Sequence, residues 1–337
     1  MIDRDEGIER KSVIILRVLN QSPEPLGARV IARRIQEYGI NLSERAVRYH
    51  LQFMDERGLT RLVGRRDGRE ITQQGIEELK DARVQDKVGF ANTRIEVLAY
   101  RTTYNPKSMQ GLLPVNISIF DNNRFISALA AMKPAFDAGL CVSKFVAIAR
   151  EGQWLGEVCV PKGKIGFATI CSIVINGVLL KAGIPMDSRF GGILEVKNKN
   201  PLRFVELIHY SGSSLDPSEA FIRARMTTVR DVVENKKGKI LANFREIAGI
   251  CLGIVEEIKS ELDKAGINGV LSIGAMSESV CQVPVDVNKV GLILIGGLNP
   301  VALAEESGIE SENFAMSSMF EYQNLKDFYH IYREMAN

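Results

Sequence analysis

Cysteine is scarce and carries no pairing pattern: five in 337 residues, an odd number with no C-x-x-C step. That excludes a disulfide framework or a structural zinc site as the basis of the fold, and reduced thiols in a cytoplasmic protein are the simplest expectation. Long hydrophobic runs are missing too, because Gly, Lys or Asn breaks each apolar stretch well short of bilayer-spanning length. Met1 to Lys11 is charged and holds no apolar core of the signal-peptide kind, so neither export nor membrane insertion is expected. Net charge is almost absent as well: 43 basic and 41 acidic side chains leave +2, so only the placement of charge can speak about partners. The length exceeds what one hydrophobic core usually serves, which predicts two or three domains.

What is present begins with three short helical patterns. Ile15, Leu16, Val18 and Leu19 form an apolar stripe in a helix from about Lys11 to Asn20, and Ser22-Pro23-Glu24-Pro25 stops it. A second helix runs from about Gly27 to Tyr38 with Ala28, Ile31 and Ile35 inward, and Gly39 ends it. A third starts at Ser43, an N-cap residue, and continues to about Arg57. Val47, Leu51 and Met54 share one face of this helix, while Arg45, Arg48, Tyr49 and Gln52 fall on the other. Two short strands follow, joined by the arginine-rich turn Gly64-Arg65-Arg66-Asp67-Gly68-Arg69, and Thr72 caps a last helix. This is the order of a winged helix-turn-helix. From Leu26 to Glu70 there are ten arginines and no lysine against six acids. Guanidinium groups pair with phosphates, and side chains near the start of the third helix can reach base edges. Double-stranded DNA is therefore the expected partner, through Ser43, Arg45, Arg48, Tyr49, Gln52, Arg65, Arg66 and Arg69. A winged helix used for protein contacts, or a merely solvated arginine face, is the alternative. His50 reads as structural beside the core.

The polar stretch Val84 to Asn92 marks a boundary, giving domains 1–85 and 86–337. Beyond it strand-like runs alternate with helices, which predicts a mixed α/β domain of the α+β kind. The chain also repeats itself. Lys164 to Ile170 matches Lys289 to Ile295, and Ala182-Gly183-Ile184 matches Ser307-Gly308-Ile309, both at an offset of 125. Phe136-Asp137-Ala138-Gly139-Leu140 resembles the run from Leu262 to Ile267 with a slip of one or two. The domain thus reads as a two-lobed internal duplication, with halves of about 100–235 and 236–337 packed about a pseudo-twofold axis.

Each half carries a strand that runs into a polar or glycine-rich turn at a helix start: Cys171-Ser172-Ile173-Val174-Ile175-Asn176-Gly177, and Gly296-Gly297-Leu298-Asn299-Pro300. Free amide groups at a helix start attract anions, and the helix dipole adds to this. Tight turns without a ligand are the plainer reading of either one alone. The hydroxyl-rich loop Tyr210-Ser211-Gly212-Ser213-Ser214-Leu215-Asp216-Pro217 and the cation of Arg189-Phe190-Gly191-Gly192 suit a small dicarboxylate. The candidate effector-binding residues are Thr169, Cys171, Ser172, Asn176, Arg189, Tyr210, Ser211, Ser213, Ser214 and Asn299, with Asn299 also read as a helix cap. His209 reads as a strand residue and not a ligand, and no metal site is expected. Glu305 and Glu306 are assigned to a solvated helix face. Cys171 or the Ser213-Ser214 loop would be the centre of an enzyme reading, but no histidine or acid stands at a spacing that marks an activated pair, so no catalytic residue is assigned.

From about Thr102 onward the phrases Gly163-Lys164-Ile165-Gly166, Cys171-Ser172-Ile173, Asn176 through Pro185, Phe190-Gly191-Gly192, Tyr210 through Pro217 and Gly296 through Ala302 resemble NrpR-type nitrogen-regulatory repressors. The resemblance extends over nearly the whole chain, winged helix included. It implies a homodimer or higher oligomer that represses nitrogen-assimilation promoters and leaves its operator when 2-oxoglutarate binds, with no cofactor. Some members carry two effector domains in tandem where this chain has one. A second, effector-only protein of the same type, or general transcription factors, are therefore implied as further partners.

Overall fold

The computed structural model describes residues 2–20, 22, 24–64, 68–81, 90–198 and 200–336. The chain divides into two compact units, Met1–Val97 and Leu98–Asn337.

In the first unit α1 (Ile2–Asn20) is longer than its apolar stripe suggests. After α2 (Ala28–Ile35) a 3-10 turn over Gln36–Tyr38 ends at Gly39 in the left-handed conformation, φ 71°. α3 (Glu44–Glu56) starts where Ser43 Oγ accepts the amide of Ala46 at 3.2 Å. Val47, Leu51 and Met54 are fully buried against Ile14, Ile15, Ile31 and Ile35. Each such side chain contributes about 1.5–3 kcal/mol by leaving water, which holds α3 by its inner face and leaves its outer face unconstrained. β1 (Thr60–Gly64) and β2 (Gly68–Ile71) pair antiparallel as the wing. Thr72 Oγ1 caps α4 (Gln73–Asp81) through the amide of Gly75 at 3.0 Å. Residues 84–89 of the expected boundary stretch lie outside the described residues. Phe90, which begins α5 (Phe90–Arg101), is buried in the winged-helix core with its ring 6.0 Å from that of Tyr38. This contact is why the first unit runs to Val97 rather than stopping at the 85/86 step read from composition.

The second unit follows one pattern twice. The first copy is β3 (Leu112–Asp121), α6 (Phe125–Ala138), β4 (Phe145–Arg150), a small hairpin of β5 (Trp154–Leu155) and β6 (Val158–Cys159), β7 (Lys164–Ile170), α7 (Ile173–Lys181), β8 (Asp187–Lys197) and β9 (Asn200–His209). Two short helices follow, α8 (Pro217–Arg223) and α9 (Val229–Asn235). The second copy is β10 (Lys237–Ala248), α10 (Leu252–Lys264), β11 (Val270–Ile273), β12 (Lys289–Ile295), α11 (Asn299–Glu306) and β13 (Glu312–Glu321), closed by β14 (Lys326–Asp327) and α12 (Phe328–Ala336). The repeated segments found in the sequence are β7 and β12, residue for residue.

The strands form two five-stranded sheets ordered β13-β3-β7-β4-β14 and β11-β12-β10-β8-β9, with every pairing antiparallel. Setting β4 beside β11, β7 beside β12, β3 beside β10 and β8 beside β13 makes the two orders match, with one exchange. β8 leaves the first copy to join the second sheet, and β13 leaves the second copy to join the first. The halves 100–235 and 236–337 are therefore not self-contained lobes; each sheet needs a strand from the other. Buried residues of both sheets form one continuous hydrophobic cluster. β3, β7 and β12 are covered on both faces, so they show unbroken burial where a half-exposed strand would alternate. Glu305 and Glu306 are not a solvated face: Glu306 accepts the amides of Val229 and Arg230 at 2.8 and 2.9 Å and so caps α9, and Glu305 accepts the Ser311 amide at 2.8 Å.

Candidate functional site

On the winged helix, burial of Val47, Leu51 and Met54 leaves Arg45, Arg48, Tyr49 and Gln52 exposed together on the opposite side of α3. Tyr49 is 66% exposed and so stands free on the same face as the arginines. Arg48 pairs with Glu44 one turn earlier, and both side chains are exposed. Such a pair contributes about 0–1 kcal/mol, so a phosphate or a guanine edge can displace it. Ser43 spends its oxygen on capping α3. Arg69 corrects the sequence reading: its Nε donates to Asp55 at 2.7 Å with the side chain 21% exposed, and its backbone bonds Leu26 in both directions. It therefore clamps the wing to α3 and is not a free DNA contact. Arg65 and Arg66 lie outside the described residues. Arg61, which the sequence reading passed over, is exposed on β1 in an ion pair with Glu70.

In the second unit the two strand-to-helix turns come together. A small cleft, with a cavity volume of about 20 Å³, is lined by Cys171, Ser172 and Ile173 at the start of α7 and by Gly296, Gly297 and Leu298 at the start of α11. Asn116 from β3, Asn243 and Arg245 from β10, Met316 from β13, Tyr210 and Asp216 from the loop into α8, and Ser218 at the start of α8 complete it. Both helix starts face this space, and the turns take several of their first amides: Val174 N donates to Cys171 O and Ile175 N to Ser172 O at 3.1 Å each, and Asn299 N donates to Gly296 O at 3.4 Å. Gly297 is required by close packing: a Cβ there would lie 2.5 Å from Ile170 O and 2.6 Å from Asn116 Nδ2.

Arg245 is the charge at the centre. It is 1% exposed, its Nε and Nη1 have no hydrogen-bond partner, and its guanidinium carbon stands 4.7 Å from the Tyr210 ring centre. A buried cation with idle donors is costly unless something anionic joins it. Around it the neutral groups are already tied to one another. The Tyr210 hydroxyl donates to Asn243 Oδ1, and Asn243 Nδ2 donates to Ser172 Oγ at 3.1 Å. Asp216 caps α8 by accepting the Ser218 amide at 2.7 Å, and burial pushes its carboxyl above the usual carboxylate range despite that bond and the nearby Arg245. Burial likewise pushes the Cys171 thiol up to about 12, which favours the thiol over the thiolate.

Residues 88–327 match the family described as NrpR regulatory domains NRD1 and 2, and residues 13–79 match the ribonuclease R winged-helix domain. The chain is 42% identical to the global nitrogen regulator NrpRI of Methanosarcina mazei, over 96% of this chain and 99% of that one. It belongs to the NrpR family. The global nitrogen regulator NrpR of Methanococcus maripaludis is 31% identical over 93% of this chain, which spans only 54% of that longer relative. The crystal structure of a nitrogen repressor-like protein from Methanococcus jannaschii superposes with a TM-score of 0.60 at 28% identity, covering 71% of this chain and 98% of that one.

Within this NrpR chain the expected effector residues separate into two groups. Cys171, Ser172 and Tyr210 line the cleft. The others stand outside its lining. Thr169 is buried beneath it, opposite Asn116. Asn176 lies a turn into α7, bonded to Ser188 at 3.1 Å. Arg189 turns to Asp187 at 3.3 Å and Glu246 at 3.6 Å. Ser211 is exposed, Ser213 ties its own turn through Leu215, and Ser214 is half-buried. Asn299 is a clamp: its side chain bonds the Leu241 amide at 2.8 Å, the Leu241 carbonyl at 3.0 Å and the Gly296 carbonyl at 3.0 Å, while Leu298 takes the cap position. The sequence reading missed Asn116, Asn243, Arg245 and Met316. A weak signal was there for two of them, because Asn243 and Arg245 alternate with Leu241, Ala242 and Phe244 in a strand-like segment.

Proposed function

We propose that this chain is a DNA-binding repressor of nitrogen-assimilation genes that works in the cytoplasm as a homodimer or higher oligomer and takes 2-oxoglutarate in the cleft around Arg245. The observation that carries the ligand reading is the buried guanidinium with idle donors between two helix starts. One carboxylate satisfies Arg245 with charge-assisted bonds, and a second has the amides of a helix start to accept from. The family relationship, with relatives named as nitrogen regulators, supports the gene class.

Regulation then follows from linkage. The cleft draws its lining from both sheets, so a ligand that binds one arrangement of them more tightly shifts the chain toward it. Operator half-sites match one separation of the two winged helices in a dimer, and the effector-bound arrangement offers another. Isothermal titration with 2-oxoglutarate, followed by operator titration with and without it, tests this. Saturable binding to the chain and a weaker operator complex at saturation are expected. Heat without saturation, or an operator affinity that ignores the ligand, overturns the reading. Recovery of 2-oxoglutarate unchanged after incubation separates a sensor from an enzyme.

A further inference from the structure

The wall of the cleft at β13 is unusual. Between Phe314 and Ser318 the β3–β13 register jumps so that Ala315, Met316 and Ser317 together face Asn116. Met316 sits there with φ 50°, a left-handed backbone that L side chains avoid. The other described non-glycine residues with positive φ are exposed or half-exposed; Met316 alone among them is buried, and it lies inside a strand. The bulge is pinned on three sides. Ala315 N donates to Glu219 at 2.7 Å, Met316 N to Asn116 Oδ1 at 3.1 Å, and Ser317 Oγ to the Val115 carbonyl at 3.3 Å.

The internal repeat supplies a control. Asn116 lies opposite Thr169 in β7, and Asn243 lies opposite Leu294 in β12, which are matching positions of the two copies. Across the exchanged strand Asn243 faces Gly191, whose missing side chain lets Tyr210 close over it; a Cβ there would meet the Tyr210 hydroxyl at 3.0 Å. Asn116 instead faces the bulge that holds Met316. Glycine would relieve the backbone at 316, yet a long thioether side chain occupies it and lines the cleft. We infer that Met316 is a specificity-determining residue: it closes the β13 side of the cleft and sets the length of the dicarboxylate that fits.

This inference rests on the reading that the cleft takes 2-oxoglutarate. The test compares 2-oxoglutarate with 2-oxoadipate, one methylene longer, by isothermal titration on the full chain and on Met316→Gly and Met316→Leu. A closed wall is worth roughly 10- to 200-fold per methylene. The wild-type chain and Met316→Leu should both prefer 2-oxoglutarate by at least about tenfold, and Met316→Gly should lose that preference chiefly by gaining affinity for 2-oxoadipate. If Met316→Gly fails to melt cooperatively, Met316→Ala is read in its place by the same criterion. A wild-type chain that binds both acids equally, or a Gly variant that keeps the wild-type ratio, overturns the role of Met316 and leaves the ligand reading intact. A wild-type chain that binds neither acid overturns both.

Discussion

Arg48 and Arg245 bear the same charge in opposite surroundings. Arg48 stands in water on α3, loosely paired with Glu44, and keeps its hydration until DNA arrives. Arg245 is enclosed by β10, Tyr210 and the two helix starts, with Nε and Nη1 unpaired. The exposed cation costs the fold almost nothing and gains little per contact, so affinity on that face requires several such residues. The buried one is held at a standing cost in stability, and one anion that reaches it gains bonds undiluted by solvent. Recognition of a long polyanion suits the first arrangement and capture of a small one suits the second.

The largest effect should come from the buried side. Arg245→Met keeps the bulk and removes the charge, so 2-oxoglutarate affinity by calorimetry should fall about 100-fold or more, roughly 3 kcal/mol. The melting temperature should change little, because the cost of a buried cation with idle donors goes together with its contact to the Tyr210 ring. A variant that loses stability and keeps its ligand would break the comparison. Next, Asn299→Ala removes three buried bonds and strands the Leu241 amide. Denaturant titration should show a loss of about 2–4 kcal/mol. A smaller loss together with abolished ligand binding would return Asn299 to the ligand set.

On the exposed side, Arg48→Ala should cost about 1–3 kcal/mol on the operator if it reads a base edge. Gel-shift titrations on specific and random duplex distinguish this from a phosphate contact, for which the loss is uniform and the salt slope drops by about one. The smallest effect concerns Asp216. Its folded pKa is raised by burial, so its contribution to stability is full below the ordinary carboxylate range and is lost as pH rises through the folded value. Asp216→Asn keeps the cap and should flatten the fall of melting temperature on going from about pH 4 to about pH 8. An unchanged pH profile would mean that the carboxyl is ionised in the folded chain.

The winged helix was legible because its signals are local. Ser43, Val47, Leu51 and Met54 follow helix spacing, and a face that must meet water shows its charge openly. The repeat between β7 and β12 was legible for the same reason, since a run of seven residues carries its own pattern. The ion pairs of Arg189 and Arg69 were not legible because a sequence does not say which acid will stand beside a cation: Asp187 and Glu246 stand by the first, and Asp55 by the second.

By itself the sequence determined the winged-helix head, the duplicated body and the two glycine-or-serine turns at helix starts, all of which arise from neighbours along the chain. Only the tertiary structure decided that β8 and β13 change sheets, that the two turns meet in one cleft, and that Arg245 is left within it with donors to spare. Those depend on contacts between residues far apart in the chain, as in β8 with β10 and β13 with β3, and such pairings are chosen by burial of the whole core rather than by any local run of residues.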